Sequence, residues 1–254
     1  MLDLLAKIEF RHWRLKLPDW RSPAQNCISQ EFPFVNVARY THEMSLLEPR
    51  WEQSKPTSDE AQEMCSTVAI SVVTPSTEPI ERVLGSLRRS HREGGALFGA
   101  FRVGESEVFD WFASRNRLTE HSILMALLQR EEVQREIPEL LLSSYSQDQT
   151  VCACSIASAD GFNMESPFLL DGRIAQSLYA GGAYGQSELD ARTAKALAIA
   201  FCEELFEQRY SEIALFTNFS AWTLWFGGIA WDWTAFLFDR RKRSFAVLAI
   251  PDSD

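Results

Sequence analysis

TAFLFD (residues 234–239), RRKR (240–243) and FAVLAI (245–250) read as two apolar strands joined through four consecutive cations. Aromatic and aliphatic runs of six residues on either side of a charged turn predict an antiparallel β-hairpin. Ile213 to Thr217 reads as a further strand, and a helix ends just before it. Strands that follow one another without a long crossover pair antiparallel. The fold class predicted is therefore α+β: a mixed, largely antiparallel sheet packed by two or three helices, with a C-terminal β-hairpin.

Working toward the N-terminus, Ser187 and Asp190 resemble a capping box with Asp in place of Glu. The helix they open runs to about Arg209, burying Ala194, Ala198, Phe201, Cys202 and Leu205. Gly181-Gly182 breaks an earlier short helix, capped by Asp171 and running through Leu178. Thr150–Ala157 (TVCACSIA) suits a strand. Leu118 and Ile123 fit a hydrophobic staple around a Thr119 cap, opening a helix that carries Ile123, Leu124, Leu127 and Leu128 inward. Ala96–Val103 and Glu107–Phe112 read as a hairpin around Gly104. Ile80, Val83, Leu84 and Leu87 keep the i, i+3, i+4, i+7 spacing of a helix face, with Pro79 in the first turn and Gly94-Gly95 as the stop. Thr67–Thr74 (TVAISVVT), apolar on both faces, suits a buried strand.

Residues 1–66 read as an irregular N-terminal segment. Prolines punctuate it, Phe32 to Val37 allows one short strand, and the acidic stretch Glu48 to Glu63 reads as an exposed loop. Residues 67–254 form the predicted core. Within it, TVAISVV–helix–Gly94-Gly95 echoes TVCACSI–helix–Gly181-Gly182, which allows two similar halves, 67–145 and 150–254. Gly-Gly after a helix is also common punctuation that arises without duplication.

The 254 residues carry 25 Lys+Arg against 35 Asp+Glu, a net charge of −10, with 46% hydrophobic residues. That composition belongs to a folded domain rather than a disordered chain. The acidic balance argues against nucleic-acid binding, which needs a basic face for phosphates, and against an anionic membrane surface. Charges interrupt the first twenty residues, so no signal-peptide core is read there. Five scattered cysteines, Cys27, Cys65, Cys152, Cys154 and Cys202, fit reduced thiols. The expected location is the cytoplasm.

No stretch fixes a chemistry. Cys152 and Cys154 would share one strand face, but a metal site needs about four ligands and no second pair exists, so no metal and no cofactor are expected. His91 and His121 lie in no catalytic pattern; His91 suits a helix C-terminus, where positive charge is favoured. Gly181-Gly182-Ala183-Tyr184-Gly185 lacks both the P-loop and the dinucleotide spacings, and reads as a corner needing positive φ. The acidic tail Asp252-Ser253-Asp254 reads as a frayed end. Four of eight tryptophans fall between Trp222 and Trp233. Strand alternation would set Trp231 and Trp233 on one side and Asp232 on the other, solvated or bonded to a backbone N–H.

Gly181-Gly182-Ala183-Tyr184, Ala194 to Ala198, Phe201-Cys202, Leu205-Phe206, Arg209-Tyr210, Trp222, Trp225-Phe226, Ala230-Trp231-Asp232, Asp239 and the closing Asp252-Ser253-Asp254 resemble the end of a group of uncharacterised bacterial proteins. The resemblance covers about the last third of the chain. By analogy, small acidic bacterial proteins of this kind imply immunity partners of secreted toxins.

Two functions follow. The first is a non-catalytic binding protein of the immunity type, whose charge steers it to a basic toxin. Its candidate contacts are Glu203, Glu204, Glu207, Asp232 and, as aromatic anchors if exposed, Trp222 and Trp225. The second is an enzyme on a small molecule, with a pocket around Tyr184, Trp231, Asp232 and Trp233.

Overall fold

The computed structural model describes residues 46–73, 75, 77–91, 95–140, 161–182, 185, 187–223, 225–226 and 232–251. All of them fall within one compact unit, Glu43–Asp254. The strands are β1 (Ile70–Val73), β2 (Leu97–Val103), β3 (Asn163–Glu165), β4 (Ile213–Asn218), β5 (Trp233–Asp239) and β6 (Ser244–Ile250). They form one sheet in the order β1-β2-β6-β5-β4-β3, and every neighbouring pair is antiparallel. The α+β class and the terminal hairpin β5–β6 are as the sequence led us to expect.

Helices cover both faces of the sheet, which is more helix than the two or three expected. One face packs on α1 (Ser58–Thr67), α3 (Glu107–Ser114), α4 (Ile123–Leu128) and α5 (Glu131–Glu136); the other on α2 (Glu78–Ser90), α6 (Leu170–Ala180) and α7 (Ala191–Phe206). This explains why β4, β5 and β6 read as continuous apolar runs: both faces of each residue pair are covered, so no alternation is required. Alternation survives in the partition. Phe236, Phe238, Phe245 and Val247 face the first layer, while Ala235, Leu237, Ala246 and Leu248 face the second. On the first face Phe101, Phe245 and Phe236 stack across three central strands, with centroids 5.0 Å apart at each step. Fully burying one such ring contributes about 2–3 kcal/mol.

Several local expectations are corrected. Thr67 closes α1, which a Thr57–Glu60 capping box opens, so part of the acidic stretch 48–63 is helix rather than loop. Ala61, Met64 and Cys65 of α1 belong to the core, and the boundary drawn at 66/67 falls inside this helix. β1 is an edge strand with Ser71 and Val72 exposed, because nothing described pairs beyond it. Glu107–Phe112 is not a hairpin arm. Ser106 accepts the Phe109 N–H and starts α3, whose Phe109, Phe112 and Ala113 turn inward with helical spacing. Thr119 does not cap a helix: the chain takes a 3₁₀ turn, His121 and Ser122 adopt left-handed φ of 50° and 56°, and α4 begins only at Ile123. Leu118 and Ile123 are still both buried in one cluster.

Asp171 sits within the first turn of α6 rather than at its cap. The cap of α7 is Asp190 alone, accepting the N–H groups of Arg192 and Thr193, and α7 stops at Phe206. The strand candidates Phe32–Val37 and Thr150–Ala157, with Cys27, Cys152 and Cys154, lie outside the described residues, as does the tail 252–254. The two Gly-Gly segments lead to different structures. Gly95 enters β2 directly, whereas Gly181 enters a loop to α7. No described helix is long and apolar enough to cross a membrane.

Candidate functional site

Two places on the face covered by α2, α6 and α7 carry features beyond packing. The first is the C-terminal end of α7. Ala194, Leu197, Ala198, Phe201 and Cys202 hold this helix to the core, leaving Glu203, Glu204 and Glu207 exposed. A helix C-terminus is the negative end of the peptide dipole, so carboxylates there cost about 0.3–1 kcal/mol each, and no basic residue occupies the last turn. Glu207 lies 3.8 Å from Lys242; Glu203 and Glu204 make no ion pair among the described residues. Beside them, Phe168 is 69% exposed and stacks flat on Tyr210 at 4.5 Å, and Tyr210 meets Phe206 edge-on. Burial, with the nearby Cys202, Asp171 and Glu203, raises the Tyr210 phenol above its usual range. Arg209 anchors this corner by donating to Asp239 at 2.7 Å and Glu212 at 3.0 Å. Burial opposes the Arg209 charge, but these two carboxylates outweigh it and raise its pKa.

The second place is a cleft of about 260 Å³ lined by His91, Arg173, Gln176, Ser177, Phe219 and Trp233 together with Ala180 and Gly181. Its back wall is built by close approach. Gly181 caps α6 with φ of 70°, and the Gly182 N–H donates to Ser90 O at 3.2 Å. A Cβ on Gly185 would lie 1.8 Å from Ser90 O, so only glycine lets this loop lie against the end of α2. His91 is 4% exposed; its Nδ1 lies 3.0 Å from Leu87 O and 3.1 Å from Ser90 Oγ. Trp233 donates its indole N–H to Ser177 Oγ at 3.1 Å. Arg173 makes a two-point ion pair with Glu165, at 2.9 and 2.6 Å, and lies 4.8 Å from the Phe219 ring centroid.

The sequence-derived candidates divide. Glu203, Glu204 and Glu207 are exposed together as expected. Trp222 is not an exposed anchor: it is 4% exposed, donates to Thr234 Oγ1 at 2.8 Å and packs between Phe162 and Phe226. Trp225 is half-buried against Phe226. Asp232, just before β5, is fully buried and engaged, so it is not a surface contact, and of the two environments expected for it, solvent or a backbone N–H, solvent is excluded. Trp233 lines the cleft, whereas Tyr184 and Trp231 lie outside the described residues. His91 does end α2 as read, and Gly181 does turn with positive φ. His121 is exposed.

Arg173, Gln176, Ser177 and Phe219 were missed. The first three share one helix face by their i, i+3, i+4 spacing, but only tertiary packing brings that face to Trp233 and His91. Among the described residues no three His, Cys, Asp or Glu side chains are placed to hold a metal ion. Cys65 and Cys202 are buried free thiols. No protein-family model matches the chain, and no curated protein matches its sequence.

Proposed function

We propose that this protein acts by binding another protein, as an acidic inhibitor of the immunity type that occludes a basic bacterial toxin. The observation that carries this reading is the end of α7. Three exposed carboxylates stand where the helix dipole disfavours them, beside the exposed Phe168–Tyr210 stack. Glu207 faces Lys242 at 3.8 Å, but Glu203 and Glu204 make no ion pair among the described residues. A rim of negative charge around an aromatic anchor suits recognition of a basic partner. The net charge of −10 supports it by speeding encounter with a cation-rich surface.

Co-expression with basic secreted proteins encoded by the neighbouring genes, as candidate toxins, tests the proposal. Cells carrying both survive, and the purified pair associates with a rate that falls steeply as salt rises. A triple Glu203→Lys, Glu204→Lys, Glu207→Lys variant slows association at least about tenfold, and Phe168→Ala speeds dissociation. Absence of both protection and binding with the wild-type chain overturns the proposal.

A further inference from the structure

The cleft at the end of α2 is separate from the acidic helix end, and the polar groups it presents are specific. The Ser90 hydroxyl has one proton, and it is directed at the backbone carbonyls of Ser86 and Leu87, 3.1 and 3.2 Å away. His91 Nδ1 therefore faces two acceptors, Leu87 O at 3.0 Å and the Ser90 Oγ lone pair at 3.1 Å. That arrangement places the imidazole proton on Nδ1 and leaves Nε2 as a hydrogen-bond acceptor. Nε2 has no partner among the described residues, although His91 is 96% buried and lines the cleft. Ser177 is the complement. Its oxygen receives the Trp233 indole N–H, and its own proton finds no acceptor among the described residues. Gln176 adds an amide at the mouth, and the walls are the Trp233 and Phe219 rings.

Charge selects further. Among the described lining residues the one Lys or Arg, Arg173, is paired with Glu165, so it offers an anion no unpaired charge. An anion would also meet the negative end of α2 and the Nε2 lone pair. A cation would find no carboxylate among the described lining residues. We propose that this cleft binds a neutral planar heterocycle with adjacent N–H and C=O groups, of the nucleobase kind, its N–H donating to His91 Nε2 and its carbonyl accepting from Ser177. A volume of about 260 Å³ has room for one or two fused rings beside the Trp233 and Phe219 side chains, as in small-molecule sites with few convergent polar groups.

The Trp233 indole N–H reports occupancy directly. In protein labelled with ¹⁵N-tryptophan, its cross-peak is assigned by its loss in Trp233→Phe, and the other indoles report folding. Uracil and hypoxanthine are titrated, with benzoate and benzylammonium as charged probes of similar size. Either base moves the Trp233 peak to saturation with Kd on the order of 1 mM, and the charged probes bind at least tenfold more weakly. Ala180→Trp, at an exposed lining position, fills the mouth and abolishes the shift. Ser177→Ala weakens binding at least tenfold and supplies the decisive comparison if Ala180→Trp does not fold. An unmoved Trp233 peak with both bases overturns the assignment. So does equal binding of the charged probes, or a shift indifferent to Ser177→Ala. None of these outcomes touches the toxin assay, so the two proposals fail separately.

Discussion

Adding one methyl group at Gly185 probes the contact that joins the loop after α6 to the end of α2. The new Cβ would stand 1.8 Å from Ser90 O, 2.6 Å from its carbonyl carbon and 3.1 Å from its Cα. All three neighbours are backbone, so no side chain can swing away. Restoring ordinary contact requires the two segments to separate by about 1.5 Å. That movement breaks the Gly182 N–H···O Ser90 hydrogen bond, which contributes about 1 kcal/mol. Overpacking in a well-filled region adds about 1–3 kcal/mol. Gly185→Ala is thus expected to cost about 2–4 kcal/mol, a large part of the 5–15 kcal/mol typical of a domain. Urea denaturation followed by tryptophan fluorescence should show a midpoint lower by about 1–2 M with an unchanged slope. Gly172→Ala is the control. It lies within α6, its Cβ meets nothing nearer than Lys195 Nζ at 3.8 Å, and it should stabilise by about 0.5–1 kcal/mol. If Gly185→Ala matches Gly172→Ala in sign, the close-approach reasoning is wrong.

Asp190 caps α7 through hydrogen bonds from Thr193 and Arg192, with that from the Thr193 backbone foremost in holding its carboxyl below the usual 3.8. Because the folded pKa is depressed, the cap's contribution is present above pH 3.8 and lost as pH falls through the lower folded value. Wild type should therefore exceed Asp190→Ala in thermal midpoint at pH 6, and the gap should close at acid pH; a constant gap contradicts the assignment. Burial pushes the Cys202 thiol up to about 12 from 9. Since its folded pKa is raised, this contribution to stability is complete below pH 9 and lost as pH rises toward 12. Peptide mapping after iodoacetamide at pH 8 should find Cys202 unlabelled until urea is added, and native labelling would refute its placement. Arg243 donates twice to Asp110 at 2.7 Å, both side chains largely shielded. Asp110→Asn should cost about 2–4 kcal/mol, little relieved by salt, and a loss below about 0.5 kcal/mol would show the pair to be ornamental to stability.

The chain's own pattern determined the elements whose signals are local. The β5–β6 hairpin follows from two apolar runs around Arg240–Arg243. The face of α2 follows from Ile80, Val83, Leu84 and Leu87, and the face of α7 from Ala194, Ala198, Phe201 and Cys202. Each needs only its own period to be recognised. α3 was hidden because Glu107–Phe112 is too short for periods of 2 and 3.6 to separate, and the Ser106 cap alone distinguishes them. The acidic end of α7 was legible, since charge and helix position are both read along one segment. Trp222 and Asp232 were misplaced because both lie outside the strands, where alternation does not apply and burial is decided by tertiary packing. The cleft was beyond reach for the same kind of reason. His91, Ser177, Phe219 and Trp233 come from four segments, and only the packing of α2 and α6 on the sheet, permitted by the bare Cα of Gly185, brings them within one molecule's width of each other.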